Sequence, residues 1–316
     1  MERSFLLLCF MFIVIFAGIF LFENLSKTNK FYKVCYNISE CDYSHNYTIV
    51  LNQTDTIITI DPIMKPHFDV NYVVIEAGNN LIYRLPILIK TSLLKTKCKY
   101  IGVVKPYLSC NSTSIGSFDG ISVQTKLKQQ SLDINVVKMA IENEKSDVNL
   151  NARYVFLLAR EYDKRNDCAN AIKWYSKRLE MNGMLQQMFY SQYRIGICQI
   201  MKDTELAKKS FLKAYAIDPF RKEPLYYLAR IARVKKEYSL CLLYSRSAMQ
   251  VGVPWSDAFF VEKNIYNWRL RDEHALCLYY AGRKHSAKQH WRYLLDMYPN
   301  MPENIRKRII KNLNFI

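Results

Sequence analysis

The chain has 316 residues, half of them hydrophobic, and a formal net charge of +17 at pH 7. This length leaves room for two modest domains, and the hydrophobic content excludes an intrinsically disordered chain. Residues 151–316 carry 30 Lys and Arg against 15 Asp and Glu, whereas residues 1–150 carry 15 against 13. The basic half therefore favours acidic partners such as anionic lipids, nucleic acid or acidic protein surfaces.

The first predicted element is an uncharged apolar run of 18 residues, from Phe5 to Phe22. Such a run is long enough to cross the core of a bilayer. A cleaved signal peptide usually has a shorter apolar region that ends at a small-residue site, but here Ala17 and Gly18 lie inside the run. We therefore predict an uncleaved signal anchor over residues 1–23, a stem over 24–46 and a single-pass membrane protein.

Two patterns disagree on the side of the membrane. Lys27, Lys30 and Lys33 outnumber Arg3, which places the following chain in the cytosol by the positive-inside tendency. Triplets of the N-glycosylation type indicate the lumen instead, because acceptors are used only in the secretory pathway. An Asn-rich chain also forms such triplets by chance. Since none follows residue 113, we favour a lumenal body in the endoplasmic reticulum or Golgi, with acceptors at Asn37, Asn46, Asn52 and Asn111.

The cysteines fall into two groups. Four of them precede the helical region and can form two disulfides in an oxidising compartment, with three possible connectivities: Cys35, Cys41, Cys98 and Cys110. Four later cysteines are more typical of small core residues: Cys168, Cys198, Cys241 and Cys277. No Cys-x2-Cys pair or His-rich cluster occurs in the sequence, and we predict no metal site.

Residues 47–125 are predicted to form a small mixed sheet. The segments 47–51, 72–76 and 81–84 are rich in β-branched and aromatic residues, and another such segment begins at Tyr100. Gly78, Asn79 and Asn80 are typical of a hairpin turn between the second and third segments.

From Asn151 to Pro299, one pattern of small and aromatic residues recurs four times. The residues that carry it are Leu158, Ala159, Tyr162, Ala171, Tyr175 and Gly183, then Ile195, Gly196, Ala207, Phe211 and Pro219, then Leu228, Ala229, Cys241, Ser245 and Pro254, and then Ala275, Ala287, Trp291 and Pro299. The fourth unit fits if residues 253–271 are an insertion before it. Such spacing is typical of tetratricopeptide (TPR) repeats, whose helix pairs stack into a solenoid.

A solenoid presents a concave surface, and aromatic residues of the first helices are candidates to line it. We predict partner contacts for Tyr154, Tyr162, Tyr190, Tyr193, Tyr226 and Trp268. The alternative is that these rings pack between helices. The basic, amphipathic tail at 305–313 either contacts a membrane or caps the solenoid.

Several segments, taken together, resemble one known family. Asn52-Gln53-Thr54-Asp55 follows the first strand, Tyr83 opens a Tyr-Arg-Leu-Pro segment, Lys105-Pro106 follows a later strand, and Asn-Ala-Arg-Tyr-Val-Phe-Leu-Leu-Ala opens the repeats at 151–159. This order is similar to family 2 glycosyltransferases with C-terminal TPR repeats, over about residues 42–290. The resemblance implies an α+β fold, with a GT-A-like sheet remnant at 47–125 and an all-α, TPR-like solenoid at 126–316.

The departures from that family concern its catalytic residues. The family's Asp-x-Asp carboxylates hold a divalent cation on a sugar nucleotide, but Asn52 and Thr54 stand in their places and leave only Asp55 charged. Lys105 and Pro106 replace the family's His-Glu pair, and neither offers a metal ligand at neutral pH. The resemblance therefore implies a degenerate member without a cofactor. The alternative is an active glycosyltransferase with a rearranged site around Asp55, which uses a divalent metal and a sugar nucleotide.

The functional prediction is a membrane-anchored, inactive glycosyltransferase-like protein that binds a protein partner through its repeats in the secretory pathway. Nucleic-acid binding is less favoured, because charge spread over helices is typical of solvated faces. The scattered histidines are predicted to be surface residues, not general bases: His45, His67, His274, His285 and His290.

Overall fold

The computed structural model describes eight strand segments between residues 32 and 125, and then residues 132–181, 183–254 and 260–315. The chain divides into two compact units, and residues 128–316 belong to the second.

The strands of the first region pair in a mixed arrangement. Their order in the main sheet is β1-β2-β5-β4-β8-β3, in which β1 runs parallel to β2, and β8 runs parallel to β4 and antiparallel to β3. Strands β6 and β7 form a separate antiparallel pair that places Cys98 opposite Cys110, one of the pairings that the sequence left open. The strands are β1 (Tyr32–Cys35), β2 (Tyr47–Val50), β3 (Asp55–Ile60), β4 (Val70–Ala77), β5 (Leu81–Lys90), β6 (Cys98–Ile101), β7 (Tyr107–Cys110) and β8 (Ile115–Thr125).

The predicted fold class, α+β with a GT-A-like remnant behind a transmembrane helix, is wrong. A nucleotide-binding α/β sheet joins its parallel strands through crossover helices. In the described segments up to Thr125, no helix lies between the strands. The second unit is all-α from Ile134 to Asn314, except for the two-residue strand β9 (Val261–Glu262).

The predicted membrane localisation also requires correction. Among the residues that the structure describes, no helix has both the length and the apolar character needed to cross a bilayer. The predicted anchor from Phe5 to Phe22 lies outside the described residues. The prediction of a single-pass protein of the endoplasmic reticulum or Golgi therefore has no support among the described residues.

The second unit consists of successive helix pairs. Contacts join each helix to the next along the chain, and the four predicted repeats correspond to the pairs α2/α3, α4/α5, α6/α7 and α8/α9. The helices are α1 (Ile134–Asn143), α2 (Val148–Lys164), α3 (Cys168–Leu179), α4 (Leu185–Gln199), α5 (Thr204–Ile217), α6 (Glu223–Val234), α7 (Tyr238–Gln250), α8 (Leu270–Tyr280), α9 (Lys284–Met297) and α10 (Glu303–Asn314). The four-repeat prediction is confirmed.

Short turns join the two helices of a pair because the sequence supplies the right residues. Asn166, Lys236 and Gly282 adopt left-handed backbone angles directly after α2, α6 and α8. Each turn ends with a backbone N–H that bonds back to the preceding helix, as from Asp167 to Tyr162 at 3.0 Å. After the first of these turns Asp167 caps α3, and its carboxylate accepts the N–H of Asn170 at 3.1 Å.

The small residues of the repeat pattern lie where the helices approach most closely. Ala159, Ala171 and Ala229 are fully buried. At Gly196 in α4, an added Cβ would lie 2.7 Å from the ring of Phe211 in α5. Since a carbon atom cannot approach so closely, only glycine permits this spacing.

The predicted insertion at 253–271 is shorter than expected. A helix begins at Lys263, passes through a π-helical turn at Ile265–Arg269 and continues as α8. A π turn adds one residue to the helical period, so the apolar spacing before Leu270 does not match that of a regular helix. Residues 255–259 lie outside the described part of the chain.

Two of the later cysteines are linked. Cys241 in α7 and Cys277 in α8 are fully buried and form a disulfide with a Cα–Cα distance of 5.6 Å. Their predicted place in the core is confirmed, whereas the bond between the third and fourth repeats was not predicted. Cys168 and Cys198 are free thiols.

The Gly196 contact gives a test of the packing. We expect Gly196→Ala to lower the free energy of unfolding by about 1–3 kcal/mol, because the new methyl group overpacks against Phe211. Denaturant unfolding followed by helical circular dichroism measures this. Phe211→Leu in the same chain should recover part of the loss.

Gly252→Ala is the matched control, because its Cβ would meet nothing within 4 Å. We expect a change below about 1 kcal/mol there. Equal effects at the two glycines would contradict the proposed close contact.

Candidate functional site

The first helices of the repeats contact one another in two pairs. In addition to their contacts with the second helices, α2 contacts α4 and α6 contacts α8. Side chains three or four residues apart share a helix face. Seven aromatic and basic residues of the first helices lie at such positions, and we call them the inner cluster: Phe156 and Arg160 in α2, Tyr190 and Tyr193 in α4, Tyr226 and Arg230 in α6, and Arg269 before α8.

Ring contacts connect the inner cluster across the repeats. The ring centroids of Phe156 and Tyr190 are 5.8 Å apart, and those of Tyr190 and Tyr193 are 6.4 Å apart. Tyr227 continues the series at 5.9 Å from Tyr193 and 5.1 Å from Tyr226.

Arginine side chains lie over the rings at the α6 end of the inner cluster. The guanidinium carbons of Arg269 and Arg230 are 4.9 and 5.7 Å from the centroid of Tyr226. Tyr227 and Arg230 are only half-buried, so this end of the inner cluster is accessible to solvent. Arginine and tyrosine side chains in such a setting are frequent anchors of protein interfaces.

The chain places a short segment of its own on the inner cluster, which we call the inner segment (residues 260–262). The ring of Phe260 is 7% exposed and lies 4.8 Å from the Tyr190 ring and 6.3 Å from the Phe156 ring. The guanidinium carbon of Arg160 stands 4.0 Å from the Phe260 centroid. Phe260 therefore occupies a pocket that two repeats build.

Polar contacts hold the backbone and the carboxylate of the inner segment. Arg221 donates to the carbonyl of Phe260 at 3.2 Å, and the N–H of Glu262 donates to a carboxylate oxygen of Glu223 at 3.3 Å. The Glu262 carboxylate accepts from the Tyr193 hydroxyl and, at 3.3 Å, from Arg269. Strand β9 of the inner segment also pairs with Leu81 and Ile82, which belong to the second unit.

Arg221 and Glu223 form a fully buried ion pair beneath the inner segment. The two side chains are joined by two hydrogen bonds of 2.7 and 3.1 Å, and the Tyr266 hydroxyl donates to Glu223 at 2.7 Å. Burial alone would raise the pKa of Glu223, but the charge and hydrogen bonds of Arg221 hold this pKa below its usual value. The pair therefore stays ionised and fixes the start of α6.

Further arginine–carboxylate pairs connect successive repeats. Arg194 donates two hydrogen bonds of 2.7 Å to Asp163. Arg233 donates to Glu273 and Arg308 to Asp272, each at 2.5 Å. These carboxylates are engaged inside the unit, which leaves an excess of cations at the surface. The sequence did not indicate these pairs, because charged residues on helices normally lie on solvated faces.

The six aromatic residues predicted to contact a partner lie mostly in the interior. Tyr154 and Tyr193 are at most 1% exposed. Trp268 packs against the core of the fourth repeat. Tyr162, Tyr190 and Tyr226 keep only small exposed areas. Their role in binding stays a prediction, and the half-buried Tyr227 and Arg230 are residues that the sequence did not single out.

Of the positions inferred from the glycosyltransferase resemblance, Asp55 lies within the described structure. Asp55 is the first residue of β3, opposite Thr125. The others lie outside the described residues, and so do the predicted glycan acceptors: Asn52, Thr54, Lys105 and Pro106, with Asn37, Asn46 and Asn111.

The histidine prediction is confirmed for the exposed His285 and wrong for His274. His274 is buried, and its Nδ1 lies 2.8 Å from the hydroxyl of Ser245. Burial lowers the pKa of His274 to about 4, assisted by the charges of His290, Arg246 and Arg271. Since Ser245 is fully buried, no substrate reaches this pair, and its role is structural.

Within the described residues, Cys241, Glu273 and Cys277 place possible ligand atoms within 4.8 Å of one another. The two sulfurs are bonded to each other, and Arg233 binds the Glu273 carboxylate. Metals bind thiolates, so the disulfide form of this group does not suit an ion.

Comparison with known proteins gives structural likeness only. No protein-family model matches the chain, and no curated protein matches it. Among solved structures, the chain is similar to MamA (14% identity, 52% of this chain and 85% of that chain, TM-score 0.41). It is also similar to YrrB, described as a TPR protein with an unusual peptide-binding site (19%, 57% and 81%, 0.43), and to the type IV pilus biogenesis factor PilW (14%, 55% and 73%, 0.41).

These likenesses are too distant to carry an argument about binding. The TPR-like architecture follows from the chain's own helix pairs and small residues. The identification as a family 2 glycosyltransferase relative is wrong: no family model matches the chain, and in the described segments up to Thr125 no crossover helix joins the strands as in a nucleotide-binding sheet.

The buried ion pair allows a test of the site. We expect Glu223→Gln to lower the free energy of unfolding by about 3–5 kcal/mol, because it leaves the charge of Arg221 buried without its partner. Glu303→Gln is the matched control, since Glu303 and Lys307 form an exposed pair, and a change below about 1 kcal/mol is expected there. Similar losses in both variants would show that the buried pair contributes no more to the free energy of unfolding than the exposed pair.

A second test uses the pH dependence of stability. Because folding lowers the pKa of His274 from 6.5 to about 4, protonation favours the unfolded chain. Stability should therefore fall as the pH drops from 6.5 towards 4, by up to about 1.4 kcal/mol per pH unit from this group. We expect His274→Gln to flatten that slope in denaturant titrations, and His285→Gln to leave it unchanged. A wild-type slope in the first variant would exclude His274 as the source.

Proposed function

We propose that the chain is a scaffold that binds a protein partner through the inner cluster of its TPR-like repeats. The observation that carries this proposal is the inner cluster itself, in which aromatic rings and arginines from successive first helices contact one another in series and end beside the half-buried Tyr227 and Arg230. Large aromatic side chains and arginines dominate the free energy of many protein interfaces.

The charges favour an acidic partner segment. Asp163, Glu223 and Glu273 form ion pairs with arginines, so they add little negative potential to the surface. Arg160 and Arg230 project from the inner face and remain half-buried. A carboxylate of a partner would be attracted to these cations. The proposal involves no cofactor.

Selection from a random peptide library against the full chain tests this function. Because Phe260 lies on the inner cluster, the selection uses both the wild-type chain and Phe260→Ser. We expect enriched peptides whose binding weakens at least ten-fold in Arg230→Glu, because this change reverses a charge at the accessible end.

Lys213→Glu is the matched control, since it makes the same charge change at an exposed position of the second helix α5. We expect binding to this variant to stay within about two-fold of the parent chain, as for a rim charge far from the contact. No enrichment with either chain, or equal losses in both charge variants, would contradict the proposal.

A further inference from the structure

We propose that the inner segment takes the place of a partner segment, so the partner is an extended peptide with an aromatic residue followed two residues later by a carboxylate. This inference rests on the proposed function and specifies its ligand. Such a partner would compete with residues 260–262 for the same surface.

The aromatic requirement follows from the Phe260 pocket. Tyr190, Phe156 and Arg160 contact the ring, and they belong to the first helices of two different repeats. The Arg160 guanidinium lies over the ring face, where an aromatic π system attracts a cation. An aliphatic side chain would fill the volume but would lose this attraction.

The carboxylate requirement follows from the surroundings of Glu262. The Tyr193 hydroxyl and the Arg269 guanidinium both donate to its carboxylate. Hydrogen bonds to a charged acceptor are stronger than those between neutral groups. Phe260 and Glu262 stand two residues apart, so one short peptide can present both side chains.

The backbone contacts do not depend on sequence. Arg221 binds the carbonyl of Phe260, and Glu223 binds the N–H of Glu262. Any extended peptide offers the same carbonyl and N–H groups. A separate peptide can therefore also make these two backbone hydrogen bonds.

The chain's own segment pays a conformational cost that a separate peptide avoids. Phe260 has a φ of 55°, in the left-handed region that bulky residues rarely adopt. The helix that begins at Lys263 follows directly, so the backbone must change direction within three residues. In a separate peptide that begins at the aromatic residue, this φ can relax without moving the ring, the carbonyl or the residues that follow, which makes displacement feasible.

Fluorescence anisotropy with a labelled pentapeptide tests the inference. The probe is acetyl-Phe-Val-Glu-Lys-Asn, which has the sequence of residues 260–264, and the protein is the full chain. We expect Phe260→Ser to bind the probe at least ten-fold more tightly than the wild-type chain, because its pocket is empty. Arg160→Glu in the Phe260→Ser background should weaken that binding at least ten-fold.

Two matched probes test the ligand pattern. One has Ser in place of Phe and the other has Gln in place of Glu, and each should bind Phe260→Ser at least ten-fold more weakly than the parent probe. Helical circular dichroism confirms that the variant is folded. If Phe260→Ser is unfolded, Glu262→Ala replaces it, since this variant removes the acceptor of Tyr193 and Arg269 and should also bind the probe more tightly than the wild-type chain.

Equal binding of the probe to the wild-type chain and the variants would overturn the inference, and so would equal binding of the three probes. The proposed function fails separately, through the library selection. Peptides that depend on Arg230 but ignore Phe260 would leave the scaffold in place and remove the competition.

Discussion

The inner cluster exists because pairs of helices can pack closely at positions without a large side chain. At Gly196 the ring of Phe211 occupies the space that a side chain would fill, and this brings α4 and α5 together. Phe211 in turn stacks on Tyr227 at 5.2 Å and lies 6.0 Å from Tyr193. The position of the aromatic rings thus depends on the absence of a side chain at Gly196. A methyl group there would move the rings on which partner binding is proposed to depend.

Buried ion pairs add a second constraint, which concerns register more than net stability. Burying two charges costs free energy that their attraction repays only with good geometry. The pairs Arg194–Asp163 and Arg233–Glu273 each join the first helices of neighbouring repeats. Hydrophobic packing tolerates a small sliding of one helix along another, but a guanidinium bound to a carboxylate does not. We infer that these pairs hold the relative position of the repeats.

The repeats could be predicted from the sequence, because their small residues recur at a fixed period and each has a local steric reason. The contact of Phe260 with the inner cluster could not be predicted, since Tyr190 and Arg160 lie far from it in the chain. The π turn before α8 was hidden for a related reason: it shifts the period by which helices are recognised. Buried arginines such as Arg221 looked like ordinary surface charges.

The glycosyltransferase resemblance failed for a physical reason as well. Its matching segments were apolar strands and the opening of a helical repeat, and residues of these types recur wherever a chain forms strands and TPR-like helices. The residues that would have carried the chemistry, at Asn52 and Lys105, were the ones that did not match. A family assignment is only as specific as its reactive groups.

The disulfide between Cys241 and Cys277 makes the solenoid mechanically uneven. Its repeats meet at three junctions, and only the last, between α7 and α8, carries a covalent link in the part of the chain described. If a bound partner pulled on the two ends, the helices at the first two junctions could separate once their noncovalent contacts broke. Separation at the third junction would also require the disulfide to break. Extension would thus fall on the half that holds Phe156, Tyr190 and the ring of Phe260.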